Sequence, residues 1–252
     1  MKKKIDKYGF ALNLTGIVIF LVLWQIISST ANQPAVPSMD RILSAFKEIF
    51  QDPKVYENIF TSLKLVLIGV ALAFCLGFIV GLICEKSRII NGLLSPIIEG
   101  ARSVAAISLF PLLIVLFGIG DLPRIIVIFW TAFPATILCT MQGLRGVDET
   151  LVEAGYNLGC NDFQLYRLIK IPLASAEILN GLRISLGNGF IAIVVAEMLG
   201  ASKGLGFMVQ WTTQSFNYSH TYAYIFIIAI VGGSINYIMN KIIQRTERKL
   251  FT

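Results

Sequence analysis

Long stretches without a charged residue are the dominant feature of this 252-residue chain. No charge occurs between Lys7 and Asp40, and comparable windows recur toward the C-terminus. A helix needs about 20 predominantly apolar residues to cross the hydrocarbon layer of a membrane. The windows therefore predict five membrane-spanning helices, at 8–28, 64–85, 102–121, 124–145 and 222–241. A sixth is expected at 176–199, in an apolar run that Arg183 and Glu197 interrupt.

The composition excludes most classes of soluble protein. Charged residues make up only 14% of the chain and hydrophobic residues 56%, with a mean hydropathy of +0.74. Soluble domains carry about 25% charged residues, so this chain cannot cover an ordinary water-exposed surface. A soluble enzyme, a disordered tail and a disulfide scaffold are excluded. We expect an all-α polytopic membrane protein forming a single domain over residues 1–252.

Neither the cysteines and histidine nor the net charge indicates a metal site or a nucleic-acid site. The four cysteines have no C-x-x-C spacing, and His220 is the single histidine of the sequence. We therefore expect no metal site within one chain. The net charge of +6 is what basic residues at the ends of membrane spans produce, so we expect no nucleic-acid partner.

Basic residues also predict the orientation in the membrane. Lys and Arg accumulate in the cytoplasmic segments of membrane proteins. Here they are concentrated before the first span, after the last span, and in the connections near 86–88 and 145–170. Both termini are therefore expected in the cytoplasm. The first apolar run is longer than the core of a signal peptide, about 7–15 residues, so we expect it to remain as an uncleaved helix.

Small and polar residues inside the spans predict packing and a candidate path. Gly69, Ala73, Gly77 and Gly81 recur every four positions, a stripe that lets two helix backbones approach closely. Ionisable and amide side chains at membrane depth usually face a cavity or a polar partner. The candidates for lining a translocation path are Arg102, Arg183, Asn188 and Glu197.

The most informative polar segment is 143–172, GLRGVDETLVEAGYNLGCNDFQLYRLIKIP. Its first half has the period of an amphipathic helix, with an apolar stripe of Val147, Leu151, Ala154 and Leu158. Gly159 allows a sharp change of direction. Asn161 and Asp162 can cap a second short helix, which Pro172 would end. Such a stripe either packs on the protein's own bundle or docks into a groove of a peripheral protein.

The same loop resembles a known motif. Glu153-Ala154-Gly155, three residues, Gly159, nine residues and Ile169-Lys170-Ile171-Pro172 look like the E-A-A-x(3)-G-x(9)-I-x-L-P loop. That loop characterises the membrane subunits of binding-protein-dependent ABC importers. Gly155 replaces the second Ala of the motif, and Ile171 replaces its Leu. Segments outside the loop, such as Phe110-Pro111-Leu112 and Gly204-Leu205-Gly206, resemble the nitrate/sulfonate/taurine branch of that family.

The resemblance implies a type I importer fold in the bacterial inner membrane. Two six-span permeases would pair, here expected as a homodimer, above two ABC ATPase subunits, and an extracytoplasmic substrate-binding protein would deliver the substrate. The residues that the resemblance assigns to ATPase coupling are Glu153, Ala154, Gly155, Leu158, Gly159, Ile169 and Pro172. Glu153 would make the polar contact, Gly159 the turn, and the stripe Val147–Leu158 would fill a cleft in the ATPase.

The chemistry of ATP is expected on another polypeptide. The sequence contains no G-x(4)-G-K-[ST] motif to hold phosphates. This chain is therefore not expected to be an enzyme or to hold a cofactor, because ATP and Mg would be bound by the partner ATPase.

The transported solute is the least constrained property. The branch that the chain resembles imports nitrate, alkanesulfonates, taurine and small heterocycles. We expect a small anion, which Arg102 or Arg183 could contact. The alternatives are a heterocycle of the pyrimidine or thiamine-precursor type, or an ATP-independent secondary transporter, for which no inverted repeat is evident. Segment 29–56 either lies along the outer interface or contacts the binding protein.

Overall fold

The computed structural model describes Thr15, Gly16, Ile19, Leu21–Thr30 and residues 33–251, with side chains up to residue 246. The chain forms two compact units. One contains Met208–Ile227 and the described residues up to Val55, and the other contains Tyr56–Phe207 and the described residues from Ile228 onward. The interpretation of 1–252 as a single domain stays a prediction.

All regular structure in the described part of the chain is helical, which confirms the all-α prediction. A 3-10 turn, Ala106–Leu109, precedes α5, and a π-helical segment, Tyr166–Lys170, joins α8 to α9. In chain order the helices are α1 (Leu21–Thr30), α2 (Met39–Gln51), α3 (Pro53–Lys86), α4 (Arg88–Ser103), α5 (Phe110–Phe117), α6 (Asp121–Arg145), α7 (Glu149–Asn157), α8 (Asp162–Leu165), α9 (Ile171–Gly200), α10 (Leu205–Gln214) and α11 (Tyr218–Phe251).

The small-residue stripe of α3 packs directly against α6. A Cβ added to Gly69 would lie 2.6 Å from Cγ2 of Ile128. Added to Gly77 or Gly81, it would lie 2.9 Å from Cβ of Thr136 or 2.8 Å from Cβ of Thr140. The order of these contacts shows that α3 and α6 run in the same direction. The two backbones approach more closely than larger side chains would allow, as the spacing predicts.

The helix α9 packs against α6 in the opposite direction. A Cβ on Gly181 would lie 2.6 Å from Cβ of Cys139. One turn along α9, the buried Ser185 hydroxyl lies 2.9 Å from the Thr136 hydroxyl and donates to the Ala132 carbonyl at 3.0 Å. The helices α3, α6 and α9 therefore form the core of the larger unit, with small residues at their contacts.

Four helices in the described part of the chain are long and apolar enough to cross a membrane. They are Pro53–Lys86, Asp121–Arg145, Asp162–Gly200 and Tyr218–Thr246, and they confirm the second, fourth, fifth and sixth predicted spans. About half of the first predicted span, 8–28, lies outside the described residues, and its described C-terminal part belongs to the shorter apolar helix Leu21–Thr30.

The third predicted span, 102–121, is not one straight helix. The helix α4 ends at Ser103, the backbone is extended at Val104 and Ala105, and Ala106–Phe117 follows at an angle of 80°. Counted as one broken span, this pair brings the number of spans to five. Pro111 lies in the first turn of α5, where a helix needs no N–H donor. The break therefore falls where a new helix can start.

Pro172 does not end the second helix of the loop, contrary to the prediction. Asp162–Gly200 is one continuous helix of 39 residues. The Ile171 N–H donates to the Tyr166 carbonyl, five residues back, in the π-helical segment. Pro172 follows this segment directly, and the wider hydrogen-bonding pattern before it lets the helix continue past a residue without an N–H.

The smaller unit contains α1 and α2. The helix α2 buries Ile42, Ala45 and Ile49 on one face. The Trp24 indole N–H donates to the Pro37 carbonyl at 3.2 Å, which fixes the connection to α1. The placement of segment 29–56 at a membrane interface stays a prediction.

Candidate functional site

The first three residues of the loop 143–172 belong to the end of α6. The helix α7 follows, and its N-terminus is capped by Asp148. The Asp148 carboxylate accepts hydrogen bonds from the hydroxyl and the N–H of Thr150, at 2.8 and 2.9 Å. These two bonds stabilise the ionised form and hold the pKa of Asp148 below its ordinary value. Glu149 follows in the first turn, where a negative charge interacts favourably with the helix dipole.

A left-handed glycine ends α7. Gly159 has φ of +84°, its N–H donates to the Tyr156 carbonyl at 2.9 Å, and the Cys160 N–H donates to the Gly155 carbonyl at 3.1 Å. This is the Schellman pattern of a helix C-terminus, which favours glycine because a Cβ is strained at positive φ. The turn predicted at Gly159 is confirmed.

The apolar stripe predicted for α7 divides between two surroundings. Leu151, Ala154 and Leu158 are exposed, Leu158 to 85%. Val147 is only 9% exposed and packs in an apolar cluster with residues of α6 and α9. The prediction that Val147 belongs to an exposed docking face is therefore wrong, because this residue precedes α7 and closes the core beneath it.

Gly155 lies at the contact between α7 and the helix that follows. A Cβ at this position would lie 2.6 Å from Cδ1 of Ile169 and 2.8 Å from Cδ1 of Leu165. The glycine lets the two helices approach, whereas the motif's alanine would require those side chains to shift. Asn161 then starts the second helix with a capping box, exchanging hydrogen bonds with Gln164 at 2.9 and 3.0 Å.

Glu153 is exposed on α7 and lines a polar cavity of about 730 Å³. Arg88, Arg145 and Lys170 line the same cavity. The helix thus presents a carboxylate close to an exposed apolar face. A partner groove with an apolar floor and a basic edge would complement this surface.

The residues that attach the loop to α3 were not predicted from the sequence. The Tyr166 hydroxyl donates to Oε2 of Glu85, and Nζ of Lys170 lies 2.8 Å from Oε1 of the same carboxylate. Lys86 forms an ion pair with Asp162 at 3.1 Å. The one signal in the sequence is that Glu85 and Lys86 end a charge-free run. Spacing could not identify their partners, because Tyr166 and Lys170 lie 81 and 85 residues from Glu85.

The structure brings together two of the four candidate path residues. A cavity of about 410 Å³ beside the break after α4 is lined by Arg102 and Asn188, with Trp130 and Gln142 among the other lining residues. The Arg102 guanidinium also pairs with Glu99 at 2.6 Å. This cavity combines a guanidinium, two amides and an indole, which can bind a small polar solute.

The other two candidates have partners outside that cavity. The Arg183 guanidinium donates to Oδ1 of Asn240 at 2.6 Å. Glu197 is 1% exposed and accepts hydrogen bonds from Ser62 and from the N–H of Gly206. A place for Arg183 and Glu197 on a translocation path stays a prediction.

Comparison with known proteins finds membrane transport subunits. The family model described as binding-protein-dependent transport system inner membrane component matches residues 73–252. The taurine transport system permease protein TauC of Escherichia coli is 30% identical, over 88% of this chain and 83% of TauC. The putative aliphatic sulfonates transport permease protein SsuC of Bacillus subtilis is 28% identical, over 97% and 88%. The formylaminopyrimidine transport permease protein ThiX of Halalkalibacterium halodurans is 26% identical, over 85% and 86%.

A solved structure shares the fold. The methionine ABC transporter MetNI, described in inward-facing conformations, matches with a TM-score of 0.69 at 20% identity. The match covers 77% of this chain and 96% of that one. At this identity the likeness concerns the fold, and it confirms the predicted type I importer permease fold.

Proposed function

The chain belongs to the binding-protein-dependent family of ABC importer permeases, and from that membership we propose that it docks a separate ATPase through the loop 143–172. In this proposal the loop lies in the cytoplasm with both termini, and two ATPase subunits hold the ATP and Mg. An extracytoplasmic binding protein delivers the solute to the opposite face. A second copy of the permease completes the translocation path.

The exposed face of α7 is the observation that carries the docking proposal. Leu151, Ala154 and Leu158 are exposed next to the Glu153 carboxylate. Apolar surface costs about 25 cal/mol per Å² in water, so a contiguous exposed apolar face is favoured where a partner covers it. An amphipathic helix of two to three turns suits a groove on a peripheral protein.

The loop is also attached firmly enough to transmit a displacement. Its second helix continues as the 39-residue helix Asp162–Gly200, and Glu85 binds Tyr166 and Lys170 at the start of that helix. We propose that closure of the ATPase subunits moves the docked loops and, through them, the helices that line the path. Access would then alternate between the two sides of the membrane.

For the solute we propose a small anion of the sulfonate class. Arg102 and Asn188 line the 410 Å³ cavity, and a guanidinium with an amide can bind sulfonate oxygens by charge-assisted hydrogen bonds. The relatives named for taurine and aliphatic sulfonate transport support this class. The formylaminopyrimidine relative supports the heterocycle as the second candidate.

The docking proposal is tested by charge reversal at Glu153. We expect Glu153→Lys to weaken ATPase binding by at least tenfold, because the partner's basic group would face a like charge. ATPase retained per permease is measured by co-purification from membranes, and uptake of labelled taurine is measured in the same cells. Glu48→Lys, the same charge reversal at an exposed glutamate of α2 outside the loop, is the control. Normal ATPase binding and uptake by Glu153→Lys at wild-type expression would refute the role of Glu153.

A further inference from the structure

Two long helices of the larger unit run in opposite directions and are joined at both of their ends. The helix α3 has 34 residues and the helix Asp162–Gly200 has 39. At 1.5 Å per residue they are about 51 and 58 Å long, whereas the hydrocarbon layer is about 30 Å thick. Their ends therefore reach the two surfaces of a membrane. We name the end beside 143–172 the loop end, and the end beside 201–206 the turn end.

At the turn end, a buried carboxylate joins the two helices. The Ser62 hydroxyl of α3 lies 2.7 and 2.9 Å from the two carboxylate oxygens of Glu197 on α9. The Gly206 N–H donates to Oε2 at 2.9 Å. Ser62 and Glu197 are both almost fully buried. A carboxylate is kept in such a place only when donors compensate for its lost hydration.

The backbone of the turn is part of the same network. The Leu205 N–H donates to Oγ of Ser62 at 2.9 Å, and the Gly204 N–H donates to Oδ1 of Asn58 at 2.8 Å. Gly204 has φ of +119°, and a Cβ on Gly206 would collide with the Val194 carbonyl oxygen. Gly204 and Gly206 thus allow the turn to pack against α3. The N–H groups of residues 204–206 are all hydrogen-bonded there.

At the loop end, a second buried carboxylate joins the same two helices. Glu85 on α3 accepts the Tyr166 hydroxyl and the Lys170 ammonium, and the Lys170 and Glu85 side chains are only 15% and 9% exposed. Tyr166 and Lys170 belong to the helix that continues into α9. Each end of α3 is therefore joined to the opposite end of the other helix by a buried glutamate.

Each buried contact has an exposed ion pair beside it. Lys203 and Glu57 pair at 2.5 Å at the turn end, and Lys86 and Asp162 pair at 3.1 Å at the loop end. All four side chains are more than half exposed. Exposed pairs contribute little because water screens both charges. They provide matched controls for the two buried contacts.

We propose that Glu85 and Glu197 clamp α3 and the helix Asp162–Gly200 into one rigid body, so that a displacement of the loop is delivered to the turn 201–206 on the opposite face. This inference rests on the docking function proposed for the loop. Glu197 and Ser62 are then positioning residues of the coupling.

The hydrogen bonds of Glu197 and Ser62 predict which substitutions break the contact between the two helices at the turn end. Glu197→Ala leaves the Ser62 hydroxyl and the Gly206 N–H without an acceptor in the core. Glu197→Gln keeps one acceptor oxygen for Gly206, and its amide can donate to Ser62. Ser62→Ala removes the bridge to α3 and leaves the Leu205 N–H unpaired. The amide variant should therefore retain coupling that the two alanine variants lose.

The first test measures coupling in the assembled importer. Purified complexes in lipid vesicles, with the ATPase and the binding protein, are assayed for solute taken up per ATP hydrolysed. We expect Ser62→Ala and Glu85→Ala to lower this ratio about tenfold while the ATPase stays bound. Lys203→Gln and Glu197→Gln should stay within about threefold of the wild type. A normal ratio in both Ser62→Ala and Glu85→Ala would overturn the clamp.

The second test does not depend on substitutions in the core. Cys75 and Cys160, the two native cysteines that are not buried, are replaced by serine. Glu57→Cys and Lys203→Cys are then joined by a short bifunctional thiol reagent that reducing agents cleave. A clamp that stays closed predicts uptake within about twofold of the unlinked protein. Loss of uptake on cross-linking, with recovery on reduction, would show that the ends separate during transport and would overturn the proposal.

The docking function and the clamp fail in different ways. If the wild-type chain retains no ATPase, the function proposed for the loop is wrong. The clamp is then also refuted, because it has no displacement to deliver. If the ATPase binds and the coupling ratio is unaffected in the alanine variants, the clamp alone is wrong.

Discussion

Glu153 and Glu197 are glutamates on helices of the same unit, in opposite surroundings. Glu153 is exposed on α7 beside an uncovered apolar face. Asp148 caps the N-terminus of α7, and Gly159 forms the turn at its C-terminus. Glu197 is buried, and its oxygens are bound by Ser62 and Gly206. The helix α7 is capped at both ends, but its apolar face is uncovered. The Glu197 carboxylate, in contrast, is bound by groups of the same chain.

This difference separates two kinds of mutational effect. Changes on the exposed face of α7 should alter the affinity for a partner and leave the free energy of unfolding almost unchanged. Changes around Glu197 should alter the free energy of unfolding directly, because buried donors and acceptors lose their partners. Three predictions, each with a control, test this distinction.

The largest effect is expected at Gly206. A Cβ there would collide with the Val194 carbonyl oxygen and approach Cβ of Glu197 to 2.9 Å, and neither backbone can yield without opening the turn. We expect Gly206→Ala to lower the free energy of unfolding by more than about 3 kcal/mol, at the upper end for overpacked sites. Thermal unfolding in detergent measures it.

The matched control is Gly92→Ala in α4. A Cβ at Gly92 meets nothing within 4 Å, and alanine is favoured over glycine inside a helix by about 0.5–1 kcal/mol. This variant should be as stable as the wild type or slightly more so. If both variants were destabilised equally, the close packing around Gly206 would not be the cause of the effect.

At Leu158 we expect a smaller effect, on the affinity for the ATPase and not on the free energy of unfolding. This side chain is 85% exposed, so Leu158→Ala should change the free energy of unfolding by less than about 0.5 kcal/mol. It should weaken ATPase binding roughly tenfold, about 1.4 kcal/mol, which is more than most interface residues contribute. Titration of the purified permease with its ATPase measures the affinity.

Val147→Ala is the counterpart on the buried side of the same loop. Since Val147 packs in the core, its truncation should cost about 1–2.5 kcal/mol of stability and leave the ATPase affinity unchanged. If Val147→Ala impaired docking and Leu158→Ala did not, the assignment of the two faces would be reversed.

The smallest effect concerns the cap of α7. The pKa of Asp148 is lowered by its bonds to Thr150. Its carboxylate therefore stabilises the helix start above the unfolded pKa, about 3.9, and this contribution is lost as the pH falls through the lower folded value. Hydrogen exchange at the Thr150 amide should stay protected from pH 8 to 5 and lose protection only in more acid solution. Asp148→Asn, which keeps a capping side chain, should lack that pH dependence.

Much of the fold was predictable because its signals are local. Charge-free windows identified three of the four long helices, and an apolar run interrupted by Arg183 and Glu197 identified the other. The small residues at every fourth position of α3 identified its contact face. Gly159 predicted the turn after α7. These features depend on residues within a few turns of one another, where period and charge are sufficient.

The remaining features depend on three-dimensional contacts and backbone conformations that the spacing of residues in the sequence does not indicate. The break at Val104 and Ala105 lies among residues that suit a helix equally well. Pro172 suggested a helix end, but the π-helical segment before it removes the conflict. Ser62 and Glu197 are 135 residues apart, so no sequence pattern could show that they meet.

The most direct test of the central claim is to purify the full chain from its native membrane in a gentle detergent and identify what accompanies it by mass spectrometry. From the docking proposal we expect an ABC ATPase at about one copy per permease, lost on Glu153→Lys and retained in Glu48→Lys. A permease that keeps its fold yet brings down no protein with an ATP site would contradict it.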